Sequence, residues 1–167
     1  DPIIELFFDS NNIFFDNGDD GNIRGVELEL EMAEVGPFSL VSNLTYIDAE
    51  LNYTVDNGGS PETTTSSFPY QPEWIFNANF GYEHEPWDFG VNLIYNFVGE
   101  NTTIIRRRSV DPSLVLGAVH SLDIVMRKGF GRDDKGGGWT LGAGIKNLWS
   151  TDREFSWDGG AAAVDGQ

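Results

Sequence analysis

Glu73-Trp74-Ile75-Phe76-Asn77-Ala78-Asn79-Phe80-Gly81-Tyr82-Glu83 is the stretch on which the fold turns. Trp74, Phe76, Ala78, Phe80 and Tyr82 fall on one side of an extended chain, and Glu73, Asn77, Asn79, Gly81 and Glu83 on the other. A period of two predicts a strand with one apolar face. The pattern repeats immediately, with Trp87, Phe89, Val91, Leu93, Tyr95 and Phe97 against Asp88, Gly90, Asn92 and Asn96. Towards the N-terminus, Val26, Leu28, Leu30 and Met32 oppose Glu27, Glu29 and Glu31, and Phe38, Leu40, Leu44 and Tyr46 oppose Ser39, Asn43 and Thr45. Towards the C-terminus, Leu122, Ile124 and Met126 oppose Ser121, Asp123 and Arg127. Last come Trp139, Leu141, Ala143 and Ile145 against Gly142, Gly144 and Lys146. Residues 3–8 read as a seventh strand with less regular alternation, and no helical period of useful length is present.

The segments run to about 9–13 residues, longer than a globular strand and suited to a tilted membrane strand. Tight turns at 36–37 and 83–86 and a Gly-rich one at 131–138 alternate with long connections at 52–71, 99–119 and beyond 149. Short turns on one rim and long loops on the other are the habit of outer-membrane barrels. Of the 10 Lys and Arg, none sits in the middle of an apolar stripe. Arg24 and Lys128 share the apolar register only at strand ends, where long side chains reach headgroups. Trp74, Tyr82, Trp87, Tyr95 and Trp139 mark the stripe ends, as an aromatic girdle does. The expected fold is therefore all-β, an antiparallel meander forming part of a large transmembrane β-barrel. A secreted β-sandwich binding module would alternate too, and a small structural outer-membrane barrel is a third reading.

Composition removes several functions. The absence of cysteine excludes disulfides and thiolate metal sites, and His84 and His120 lie too far apart for a ligand pair. A formal net charge of −17 argues against nucleic acid as a partner. No nucleophile–base arrangement or Gly-rich phosphate loop can be assembled, so an enzyme is not expected, nor a cofactor. No apolar run approaches the roughly 20 residues of a membrane helix.

The strands also resemble a known family. Gly25-Val26-Glu27-Leu28-Glu29-Leu30 and Asn43-Leu44-Thr45-Tyr46-Ile47-Asp48-Ala49 are similar to late-barrel strands of TonB-dependent receptors. So are 72–83, Asn92-Leu93-Ile94-Tyr95-Asn96-Phe97-Val98-Gly99-Glu100, Leu122-Asp123-Ile124 and Gly144-Ile145-Lys146-Asn147-Leu148-Trp149, in that order. The resemblance implies a C-terminal barrel segment of about seven strands out of 22 around a plugged lumen. It implies that the plug and a final strand with an aromatic end lie outside residues 1–167. It further implies a place in the bacterial outer membrane and TonB-dependent uptake of a scarce nutrient: a ferric siderophore, cobalamin or an oligosaccharide. The implied partners are outer-membrane lipid, the TonB complex acting through the plug, and a small-molecule or metal-chelate ligand.

Four sets of residues are candidates for contacts. Trp74, Phe76, Phe80, Tyr82, Trp87, Phe89, Leu93 and Tyr95 are expected to face lipid. Arg106, Arg107 and Arg108, the one basic cluster, lie in a long loop where charge-assisted forks could hold an anionic ligand. A solvated loop balancing nearby acids is the simpler reading of them. Asp16, Asp19 and Asp20 sit in an oxygen-rich, Gly-containing stretch like a Ca²⁺ loop, but it lacks a terminal bidentate Glu and also reads as a solvated turn. Glu27, Glu29 and Glu31 are expected to line the lumen.

Overall fold

The computed structural model describes residues 4–9, 12–17, 20–56, 58–105, 113–131 and 137–158. In chain order the strands are β1 (Ile4–Asp9), β2 (Asn12–Asn17), β3 (Asp20–Val35), β4 (Phe38–Asp56), β5 (Pro61–Ser67) and β6 (Trp74–His84). They continue as β7 (Phe89–Val98), β8 (Asn101–Ile104), β9 (Ser113–Leu116), β10 (Val119–Phe130), β11 (Trp139–Ser150) and β12 (Phe155–Asp158). All pairings are antiparallel.

The long alternating segments form one sheet in the order β11-β10-β7-β6-β4-β3, with β5 added to the far end of β4. Its register joins the separate stripes into one surface. Leu28, Leu44, Phe76 and Phe97 follow one another across four strands, and Met32, Leu40, Phe80, Leu93 and Ile124 across five. A one-residue slip anywhere would turn a strand's apolar set to the other side. Two irregularities interrupt the register. An extra residue in β3 between Met32 and Val35 brings Val35 opposite Phe38. In β11 the stretch between Ile145 and Trp149 bulges opposite Asp123. There Asn147 takes φ +53°, and its N–H donates to Asp123 Oδ1 at 2.8 Å.

The strands make substantial contact only with their hydrogen-bonded neighbours, so the sheet is a single layer among the described residues. Apolar burial is correspondingly scarce: Leu51, Tyr53 and Leu116 are the buried hydrophobics. The opening stretch does not extend the long sheet. Six-residue β1 pairs with β2 as a two-stranded sheet of its own, and β3 is the sheet's edge. In sequence, Leu6-Phe7-Phe8 breaks the alternation that the long strands keep.

The connections sort onto two rims. At one, Gly36-Pro37, with Gly36 at φ +62°, meets the 3₁₀ turn Glu85–Trp87, and Glu83 N–H donates to Pro37 O at 2.8 Å. At the other, the first long connection meets the second, Tyr70 N–H donating to Thr102 O at 2.7 Å. That rim carries structure the alternation did not announce: β5 on β4, and a small sheet in the order β12-β9-β8.

Candidate functional site

The face opposite the apolar one is a ladder of polar rungs. Glu29, Asn43, Asn77, Asn96, Ser121 and Ser150 stand side by side across six strands. Asn77 Nδ2 donates to Asn43 Oδ1 at 2.8 Å and Asn96 Nδ2 to Ser121 Oγ at 3.4 Å. Glu27 receives Thr45 Oγ1 at 3.5 Å, while Glu29 and Glu31 are exposed beside Asn43 and Val41. The face is not uniformly polar, since Ile75, Ile94 and Val125 share it.

Nearer the short turns, one rung runs Glu83, Gly90, Arg127, Gly142. Gly90 has no side chain, so Arg127 reaches across β7 to Glu83 at 2.8 Å, and a second nitrogen lies 3.5 Å from Asp88 Oδ1. A Cβ on Gly90 would come within 2.9 Å of Arg127 Nε, and one on Gly129 would run into the Asp88 carboxylate. Asp88 itself holds the left-handed φ of +46° that ends the 3₁₀ turn. Sequence reading placed Arg127 on the polar face but did not pair it. The glycine between the two charges was the available signal, and it carries meaning only once three strands are in register.

The long-connection rim holds a cavity of about 360 Å³, lined in part by Gln71, Glu73, Trp74, Phe97, Glu100 and Asn101. Its floor is built by backbone bonds: Gly99 N–H donates to Trp74 O at 2.8 Å, which fixes β8 against the end of β6. Asn101 is buried, and Thr103 Oγ1 donates to Leu114 O at 3.1 Å. Gly117 N–H donates to Glu154 O at 2.8 Å and ties β12 to the same rim. The lining is amide, carboxylate and aromatic ring. The amides and carboxylates suit a ligand with donor groups.

The expected lipid-facing residues fall together on the apolar face. Trp74 pairs in register with Tyr46, Phe76 with Phe97, Phe80 with Leu93, and Tyr82 with Val91. Tyr95 stands between Ala78 and Leu122, Phe89 lies beside His84 and Lys128, and Trp87 packs on the His84 ring at 4.9 Å. Phe80 and Leu93, in mid-sheet, remain 38% and 37% exposed. Rings cluster at both ends of this face. Tyr46 meets Trp74 at 4.6 Å, and His120 stacks on Trp149 at 5.7 Å with Tyr95 Oη 2.6 Å from its Nδ1. At the other end Phe38 packs on Tyr82 at 5.3 Å and Phe130 on Trp139 at 4.2 Å.

Arg106, Arg107 and Arg108 lie outside the described residues, as does Asp19. Asp16 falls in β2, its backbone opposite Glu5, and Asp20 opens β3, where its carboxylate accepts Asn52 Nδ2 at 2.6 Å. A strand-to-strand amide contact thus occupies the one acid of that stretch whose side chain is described.

The family model described as TonB dependent receptor-like, beta-barrel matches residues 3–148, from β1 through nearly all of β11. No curated protein and no solved structure matches the chain. The matched span contains the whole long sheet except the last two residues of β11, with the strand order and one-sided alternation already described. The chain belongs to the TonB-dependent receptor β-barrel family, whose members are bacterial outer-membrane receptors and transporters rather than enzymes.

Proposed function

We propose that the long sheet is one arc of a plugged transmembrane barrel, its apolar face against lipid hydrocarbon and its polar face towards the lumen. The observation that carries this reading is the uncovered apolar face. Leu28, Leu30 and Ile145 are 61%, 56% and 51% exposed, and the rows between them have no second layer above them among the described residues. A water-soluble sandwich would bury such a surface, and a patch this large otherwise needs a partner or a membrane. In hydrocarbon an open edge is costly, so β3 and β11 need further strands to close the barrel.

On this reading the long-connection rim captures a nutrient and the short-turn rim faces the periplasm. The plug, driven by TonB from the inner membrane, then releases the nutrient inward. The rim cavity supports a neutral, hydroxyl-rich ligand of the oligosaccharide class best, because Glu73 and Glu100 would repel a polyanionic chelate while accepting hydrogen bonds from hydroxyls. The test is calorimetric titration of the intact receptor with neutral oligosaccharides and with ferric tricarboxylate chelates. Oligosaccharide binding that weakens in Glu100→Ala and Asn101→Ala is the expected result. Chelate binding alone, lost when Arg106, Arg107 and Arg108 are changed to Ala, would reassign the ligand class to an anion held by that cluster.

A further inference from the structure

We infer that Lys128 is a docking point for the phosphate of an anionic phospholipid in the leaflet beside the short-turn rim. The inference rests on the lipid-facing reading of the apolar face and deepens it. Along β10 the apolar register runs His120, Leu122, Ile124, Met126, Lys128, so two polar-capable side chains bound a purely apolar interior. The eight steps from His120 to Lys128, at about 3.4 Å each and a tilt near 40°, span roughly 20 Å of height, close to an outer-membrane apolar band. Lys128 therefore stands at the hydrocarbon edge, where a stem can lie in the apolar zone and an ammonium can meet headgroups.

Its surroundings favour an anion. The ammonium donates to the Trp87 carbonyl and lies 5.3 Å from the Phe130 ring centre. A lysine has three N–H donors, so the carbonyl leaves two for a ligand. Two acids of this rim, Glu83 and Asp88, turn to the other face and hold Arg127, one residue along the strand and pointing the opposite way. Trp87 and Trp139, 68% and 61% exposed, supply indoles of the kind that settle at headgroup depth. Arg24, the other cation of the apolar register, contrasts with it. Asp48 stands directly opposite Arg24 across the strand pair, so that end of the sheet brings its own counter-charge. The arrangement selects one leaflet.

The experiment is native mass spectrometry of the intact receptor, released from membranes holding equal fractions of phosphatidylglycerol and phosphatidylcholine. Wild type is expected to retain phosphatidylglycerol in preference. Lys128→Gln should weaken that retention about fivefold, the worth of one basic residue at a membrane surface. Lys128→Arg should keep it, and so should Lys146→Gln, whose lysine lies in the opposite register of β11. Excess inorganic phosphate should not compete, because the acyl chains are part of the ligand. Absence of any preference in wild type, equal loss in Lys128→Gln and Lys146→Gln, or displacement by free phosphate would each overturn the inference. Heat-modifiable electrophoresis of the same samples separates the two levels. Inserted protein without lipid preference overturns the docking point alone, whereas protein that never inserts overturns the lipid-facing reading along with it.

Discussion

Phe76 and Asn77 are neighbours in β6, and each is flanked by its own kind: Phe76 by Leu44 and Phe97, Asn77 by Asn43 and Asn96. The same backbone ladder thus carries two surfaces that interact by different physics. Ring and aliphatic contacts on one face gain from dispersion between neighbours, and the exposed remainder gains only if another apolar medium covers it. The rungs of the other face pair amides and charges in place, at about 1 kcal/mol for each hydrogen bond, and their exposed remainder is served by water. What differs between the faces is the solvent each one requires. A protein in a single solvent would have no use for both at this exposure.

The largest expected effect breaks that contrast directly. Ala78→Arg puts a charge between Ser42 and Tyr95 in the middle of the apolar face, and should cost about 2–4 kcal/mol in denaturant unfolding from lipid vesicles. Asn79→Arg, one residue away on the other face, should cost a small fraction of that. Equal costs would mean the two faces share one environment.

Next in size is the bulge of β11 opposite Asp123. Asn147→Val forces a β-branched residue to φ +53°, with an expected loss of about 1–3 kcal/mol, while Asn147→Gly should be tolerated. A neutral Asn147→Val in the same unfolding assay would show that the bulge does not depend on a left-handed residue there.

A smaller effect is expected from the polar rung. Asn77→Ala removes the hydrogen bond to Asn43 and should lower stability by about 0.5–1.5 kcal/mol. The smallest is Arg127→Met. With its side chain 40% exposed and that of Glu83 59%, the pair is worth under about 1 kcal/mol, and high salt should erase the difference. Gly90→Val should do more damage than Arg127→Met, because it fills the gap through which the two charges meet.

These residues also mark where the sequence was readable. The long strands were legible because one-sided burial imposes period two, and β3, β4, β6, β7, β10 and β11 coincide with the alternating segments. The four short strands of the long-connection rim were not. Thr63-Thr64-Thr65-Ser66-Ser67 in β5 is polar on both sides, so no period separates it from a loop. The Glu83–Arg127 pair lies 44 positions apart in sequence and depends on the register of β6, β7 and β10 together. Of the rim cavity, the sequence offered only the length of the connections. Its lining is assembled by backbone bonds such as Tyr70 to Thr102, which leave no trace in side-chain pattern.

The central claim is that the apolar face meets hydrocarbon and the other face meets water. It is tested most directly by placing single cysteines at positions 76, 77, 78, 79 and 80 of the intact protein in bilayers. Residues 1–167 hold no cysteine, and with any cysteine elsewhere in the intact protein changed to Ser each spin label reports one position. Electron paramagnetic resonance then compares collisions with oxygen, which concentrates in lipid, and with a water-soluble nickel complex. The account predicts high oxygen and low nickel accessibility at 76, 78 and 80, and the reverse at 77 and 79. Accessibility without that alternation, or with positions 76, 78 and 80 closed to both reagents under a second layer, would contradict it.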